Sequence, residues 1–138
     1  MLLTVVTFVS GGAPAMAEAL ASQAPDNAQA YIISPQDGST VSSPFTVQFG
    51  LSGMGIAPAG IDRPATGHHH LLVDLETLPD LDQALSATEN IKHFGGGQTE
   101  AKLELSPGKH TLQLVLGNYA HIPHNPPVMS EPINITVK

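Results

Sequence analysis

Six of the seven histidines fall in three short segments. They are Gly67-His68-His69-His70, His93 ahead of Phe94-Gly95-Gly96-Gly97, and Ala120-His121-Ile122-Pro123-His124. Imidazole is the commonest protein ligand for metal ions and titrates near neutral pH. His68 and His70 are two residues apart. On a strand, where residues rise about 3.3 Å each, their side chains would leave one face about 6–7 Å apart, close enough to chelate one ion. His69 would point to the other face, to pack there or to support a ligand by a hydrogen bond. His121 and His124 are three apart in a proline-containing loop that could hold both rings on one side. His93 precedes three glycines, which permit close backbone approach or a plain turn. The candidate metal ligands are therefore His68, His70, His93, His121 and His124. Asp74 and Glu100 could add carboxylates. Met54 and Met129 could add soft thioether donors suited to Cu(I), although packing is the ordinary role of such side chains. The chain has no cysteine, so thiolate ligation and disulfides are both excluded.

Convergence of these segments depends on the strands between them. Phe45-Thr46-Val47-Gln48-Phe49-Gly50-Leu51 alternates strictly, which predicts a strand with one buried face. His68 to Leu75 reads as another, with His69, Leu71, Val73 and Leu75 on its apolar side. Tyr31–Ser34, Lys102–Leu105, His110–Leu116 and Ile133–Val137 complete six clear strands, and a weak segment around Leu75–Ala87 could supply a further one. Pro35-Gln36-Asp37-Gly38 and Ser106-Pro107-Gly108-Lys109 are turn signatures. The spacing predicts an all-β, immunoglobulin-like antiparallel β-sandwich of about seven strands with long loops at one end. In that topology Ser52–Gly67, Asn90–Glu100 and Gly117–Glu131 share one end. A hairpin across Ser106–Lys109 would bring Gly97–Glu100 towards Gly117. His110 falls at the other end.

The 138 residues suffice for one domain. Met1 to Val9 is apolar and leads to Ala15-Met16-Ala17 ahead of Glu18, which predicts a signal peptide over 1–17, although no Lys or Arg precedes the apolar run. Residues 18–30 are expected to form a flexible lead-in, and 31–138 a single domain in a periplasmic or secreted protein. No later run is long enough to span a membrane. A net charge of −7 opposes binding to nucleic acid, whose phosphates require Lys and Arg, and suits a protein that meets cations.

From Gly50 onward the chain resembles a bacterial family catalogued as domain of unknown function 4399. The similar segments are Phe49-Gly50-Leu51-Ser52-Gly53-Met54-Gly55, Pro58-Ala59-Gly60, Thr66 to Asp74, His93 to Glu100, Pro107 to Leu114 and His121-Ile122-Pro123-His124. The resemblance implies a short exported protein of Gram-negative bacteria and implies no activity. Asn118 stands where similar sequences would carry Asp. If that carboxylate served the site, this chain would hold a cation less strongly there.

The expected function is a non-catalytic exported metal-binding module, with copper or zinc as the ion. A module that binds an envelope protein or ligand through the same loops, without metal, is the alternative. A metal-dependent hydrolase using Glu100 or Asp74 as base ranks last. The chain has no G-x-S-x-G and no H-E-x-x-H.

Overall fold

A computed structural model describes residues 21–138. The expected signal peptide lies outside the described residues. Nine strands form among the described residues: β1 (Gln29–Ser34), β2 (Thr40–Val41), β3 (Phe45–Ser52), β4 (Gly55–Ile56), β5 (Thr66–Val73), β6 (Ile91–His93), β7 (Glu100–Leu103), β8 (Gly108–Gly117) and β9 (Ile133–Val137). One layer is the sheet β1-β3-β7 and the other is β2-β9-β8-β5-β4, with β6 also paired to β5. The fold is an all-β sandwich, as expected, and β2, β4 and β6 are three strands that the alternation did not reveal. Two of its short pairings, β2 with β9 and β4 with β5, are parallel.

The alternating residues decide the layering. Phe45, Val47 and Phe49 of β3 are buried between the sheets with Leu71 and Val73 of β5, Leu112, Leu114 and Leu116 of β8, and Ile133, Ile135 and Val137 of β9. Thr46 and Gln48 face outward and are exposed. Burial of this apolar area is the main force that holds the layers together.

In β5, every residue from Gly67 to Val73 is buried. His69, Leu71 and Val73 face the other sheet. Leu72, on the opposite parity, joins a second small core with Leu85, Ile91 and Val115, flanked by Leu75, Leu81 and Met129. The segment between β5 and β6 therefore covers the outer face of the larger sheet. No strand forms in Leu75–Ala87, where the weak additional strand was expected. Its leucines are used to roof β5 and not to pair with a neighbour.

Two further expectations are corrected. β7 and β8 do not form a hairpin. β7 pairs with β3, from Phe45↔Leu103 to Gln48↔Glu100, whereas β8 lies between β5 and β9. Both edges of β8 are occupied, so the chain must cross between layers at Ser106–Pro107. The Ser43 hydroxyl accepts the Leu105 N–H at 3.0 Å near this crossing. The lead-in is also packed where described. Ala24 is buried in the main core, and its N–H donates to the Asn125 carbonyl while the Asn125 N–H donates to Ser22. No helix among the described residues is long and apolar enough to cross a membrane.

Candidate metal centre

The site is built from the non-core parity of β5. His68 and His70 project from the outer face of the larger sheet and are 0% exposed. β6 pairs antiparallel with β5 so that His93 stands directly opposite His70. Side chains of directly opposed residues leave the same face of a sheet, so the third ring joins the first two. On the other side of β5, Gly117 of β8 stands opposite His68, and the chain turns immediately after it. That turn carries His121.

The result is four imidazoles in mutual contact. Ring centres are 4.8 Å apart for His68–His70, 5.0 Å for both His68–His93 and His68–His121, 5.1 Å for His70–His93, 6.0 Å for His70–His121 and 4.5 Å for His93–His121. His68, His70 and His93 each offer a nitrogen within 4.8 Å of the other two. The Nε2 atoms of His68 and His93 are 3.1 Å apart. Two nitrogens at that distance either share one proton or face a common cation.

The buried members lack the partners that buried polar groups normally have. Neither nitrogen of His70 and not Nδ1 of His68 has a hydrogen-bond partner among the described residues. Burial is the main cause that holds both rings neutral, with pKa lowered to about 4 for His68 and about 3 for His70; the neighbouring imidazoles push in the same direction. His93 is lowered as well, by burial first and then by His121. Neutral imidazole has the free lone pair that a metal ion requires.

Glycines make room for these rings. A Cβ at Gly117 would lie 2.6 Å from Cε1 and 3.1 Å from Nδ1 of His70, and one at Gly95 would overlap Cε1 of His93. Neither glycine has positive φ, so space and not backbone freedom is the requirement. Gly117→Ala is expected to overpack the site, costing about 1–3 kcal/mol of stability. It should also weaken metal binding by about 10–100-fold, the effect of losing a ligand's orientation. Denaturant melts and metal competition titrations on the variant would check both.

His121 is held by a turn. Its φ is +66°, a left-handed conformation that non-glycine residues rarely adopt. Asn118 enforces it. Its Oδ1 accepts the N–H groups of Ala120 and Ile122 at 2.9 and 3.1 Å, and its carbonyl accepts the His121 N–H at 2.9 Å. The His121 carbonyl accepts Leu85 N–H, which ties the turn to the β5–β6 segment. Asn118 thus shapes the loop by its amide oxygen, and its Nδ2 donates to the Ser22 hydroxyl at 3.1 Å. His121→Gly is expected to relieve about 1–2 kcal/mol of left-handed strain, against about 0.5–1 kcal/mol of added backbone entropy. Stability of the metal-free chain should stay within about 1 kcal/mol of the parent, by those same two terms, while metal affinity falls; unfolding and binding measured side by side would show the separation.

The remaining candidates lie elsewhere. His124 is 2% exposed beside Gly67, with Nε2 3.1 Å from the Thr66 carbonyl, and makes no ring contact with the four. His69 faces the inter-sheet core with its ring centre 5.2 Å from that of Phe49, and burial lowers its pKa to about 4. Met54 packs against the main core and Met129 against the smaller one. Glu100 is exposed in the opposite layer. Asp74 follows β5 at the far end of the sheet, where Oδ2 lies 2.7 Å from Nδ1 of His110 and Oδ1 accepts the Thr111 N–H. Nε2 of His110 meets the Ser106 carbonyl at 2.7 Å. With acceptors at both nitrogens, His110 favours its protonated form, and its pKa is raised, chiefly by Asp74. Both its nitrogens are engaged, so it offers no free donor.

The loops expected to converge do so. Ala59 N–H donates to the Gly95 carbonyl and Gly60 N–H to Tyr119, which joins the β4–β5, β6–β7 and β8–β9 connections. A family model described as Domain of unknown function (DUF4399) matches residues 47–138. The chain belongs to that family. The DUF4399 segment contains all four clustered rings and both glycines that accommodate them. It starts within β3, so β1 lies before it even though β1 pairs along β3 from Gln29↔Ser52 to Ser34↔Gln48. No curated protein and no solved structure matches the chain.

Proposed function

We propose that this chain is an exported, periplasmic or secreted, non-catalytic metal-binding module whose ion is copper or zinc. The observation that carries this reading is the pair of fully buried imidazoles, His68 and His70, which hold three unpartnered nitrogens between them and lie with their ring centres 5.0–6.0 Å from those of His93 and His121 and 4.8 Å from each other. Leaving such groups unpaired costs about 1–3 kcal/mol each, and an ion relieves one nitrogen of each ring it binds. His68, His70, His93 and His121 are the ligand set. His124 supports the strand end through Thr66. Export rests on the apolar run Met1–Val9 and on Ala15-Met16-Ala17.

A surface that merely bound a partner through these loops would have no use for two rings sealed from solvent. Metal addition to the untagged chain is therefore expected to raise its melting temperature. At about a hundredfold excess over Kd the stabilisation is about 2.7 kcal/mol. A melting temperature unmoved by zinc and by both copper oxidation states would defeat the reading.

A further inference from the structure

The arrangement of the four rings carries information about which ion they hold. This step rests on the metal-binding reading above. For metal–nitrogen bonds of about 2.0–2.1 Å, four imidazoles around a tetrahedral ion place all six pairs of ring centres about 5 Å apart. A square plane instead gives four pairs near about 4.5 Å and two diagonals near about 6.4 Å at the same bond length. The observed separations run from 4.5 to 6.0 Å. His70–His121 is the one long pair. In a square its complement, His68–His93, would be the other diagonal, yet those centres are 5.0 Å apart. Their Nε2 atoms, at 3.1 Å, are closer than the roughly 4 Å of ligands trans across an ion and near the tetrahedral edge of about 3.3 Å expected from the same bond length.

We infer that the site takes zinc(II) in a closed, tetrahedral four-histidine shell. The donor chemistry agrees with the geometry. Every donor is an imidazole, the chain has no thiolate, and the methionines among the described residues, Met54 and Met129, pack against the two cores, so no described thioether selects Cu(I). Cu(II) prefers tetragonal sites, which the short His68–His93 contact opposes. The nitrogens of His68, His70 and His93 are already mutually close, whereas His121, with its ring centre 5.0, 6.0 and 4.5 Å from theirs, stands outside that set and must reorient to supply the fourth donor. Four protein ligands leave no open position for water, so the ion stabilises the outer face of the sheet and performs no hydrolysis.

Cobalt(II) in place of zinc reports coordination number by its colour. The untagged chain titrated with cobalt(II) is expected to develop intense visible bands of four-coordinate cobalt at one equivalent, bleached by one equivalent of zinc(II). His121→Gly should bind cobalt more weakly and shift the bands to those of a water-ligated ion. Faint bands of six-coordinate cobalt, or a His121→Gly spectrum identical to the parent's, would overturn the tetrahedral assignment while leaving a metal site in place. Retention of neither cobalt, zinc nor copper would overturn the metal reading itself.

Discussion

His70→Leu is expected to abolish metal retention while leaving the metal-free fold as stable as the parent or more so. Leucine is close to histidine in volume and presents no polar atom. In the parent, both His70 nitrogens are buried without partners, and each such group costs about 1–3 kcal/mol. Val115 stands opposite on β8, and Leu72 lies two residues along the same face in the second small core, so an apolar side chain suits the surroundings. Loss of a direct ligand should exceed the roughly 10–100-fold penalty for disturbing a ligand's support. Urea melts of metal-free parent and variant, with zinc binding measured on each, would test this. A variant that unfolds and a metal-free parent that does not would show that His70 holds the fold by contacts other than a metal.

Acidification is expected to destabilise the metal-free chain steeply between about pH 6.5 and 4. His68, His69 and His70 have pKa values lowered to about 4, 4 and 3 from an ordinary 6.5. The unfolded chain therefore takes up protons on these rings across an interval where the folded chain does not. Stability rises with pH wherever the unfolded state binds more protons, so the stability present above pH 6.5 is lost as pH falls towards the folded values. Lowering one pKa by 1 relative to the unfolded chain corresponds to about 1.4 kcal/mol, and three such groups reach several kcal/mol, a large part of an ordinary domain's stability. His110 acts with the opposite sign. Its raised pKa contributes stability that is full below 6.5 and fades as pH rises through the folded value. Unfolding free energies measured at intervals from pH 7.5 to 4 in the presence of chelator should fall once the pH drops below about 6.5. A flat profile would contradict the burial of neutral imidazoles.

Much of this site is legible in the order of residues. The H-x-H spacing of His68 and His70 requires only the period of two of a strand, and the alternation of His69, Leu71 and Val73 says which parity turns inward. The pairing of β5 with β8 follows from their two apolar faces. Other features depend on long-range pairing that local pattern does not contain. β6 is three residues long, too short to show a period, yet its register brings His93 opposite His70. Gly95 and Gly117 read as turn residues, and only the positions of the His93 and His70 rings show that they are spaces. The roof over β5 is obscured because Leu75, Leu81 and Leu85 resemble a weak strand. The apparent hairpin at Ser106–Lys109 fails for a global reason, since β9 and β5 take both edges of β8. His124 shares a loop with His121, but the turn set by Asn118 directs the two to different neighbours.

The most direct measurement is the metal content of the untagged chain after exposure to zinc and copper and removal of free ions, beside a His68→Ala/His70→Ala version carried through the same steps. The expected result is one ion held per parent chain and none by the double variant. A parent that retains no ion, or a double variant that retains as much as the parent, would contradict a metal centre at His68, His70, His93 and His121.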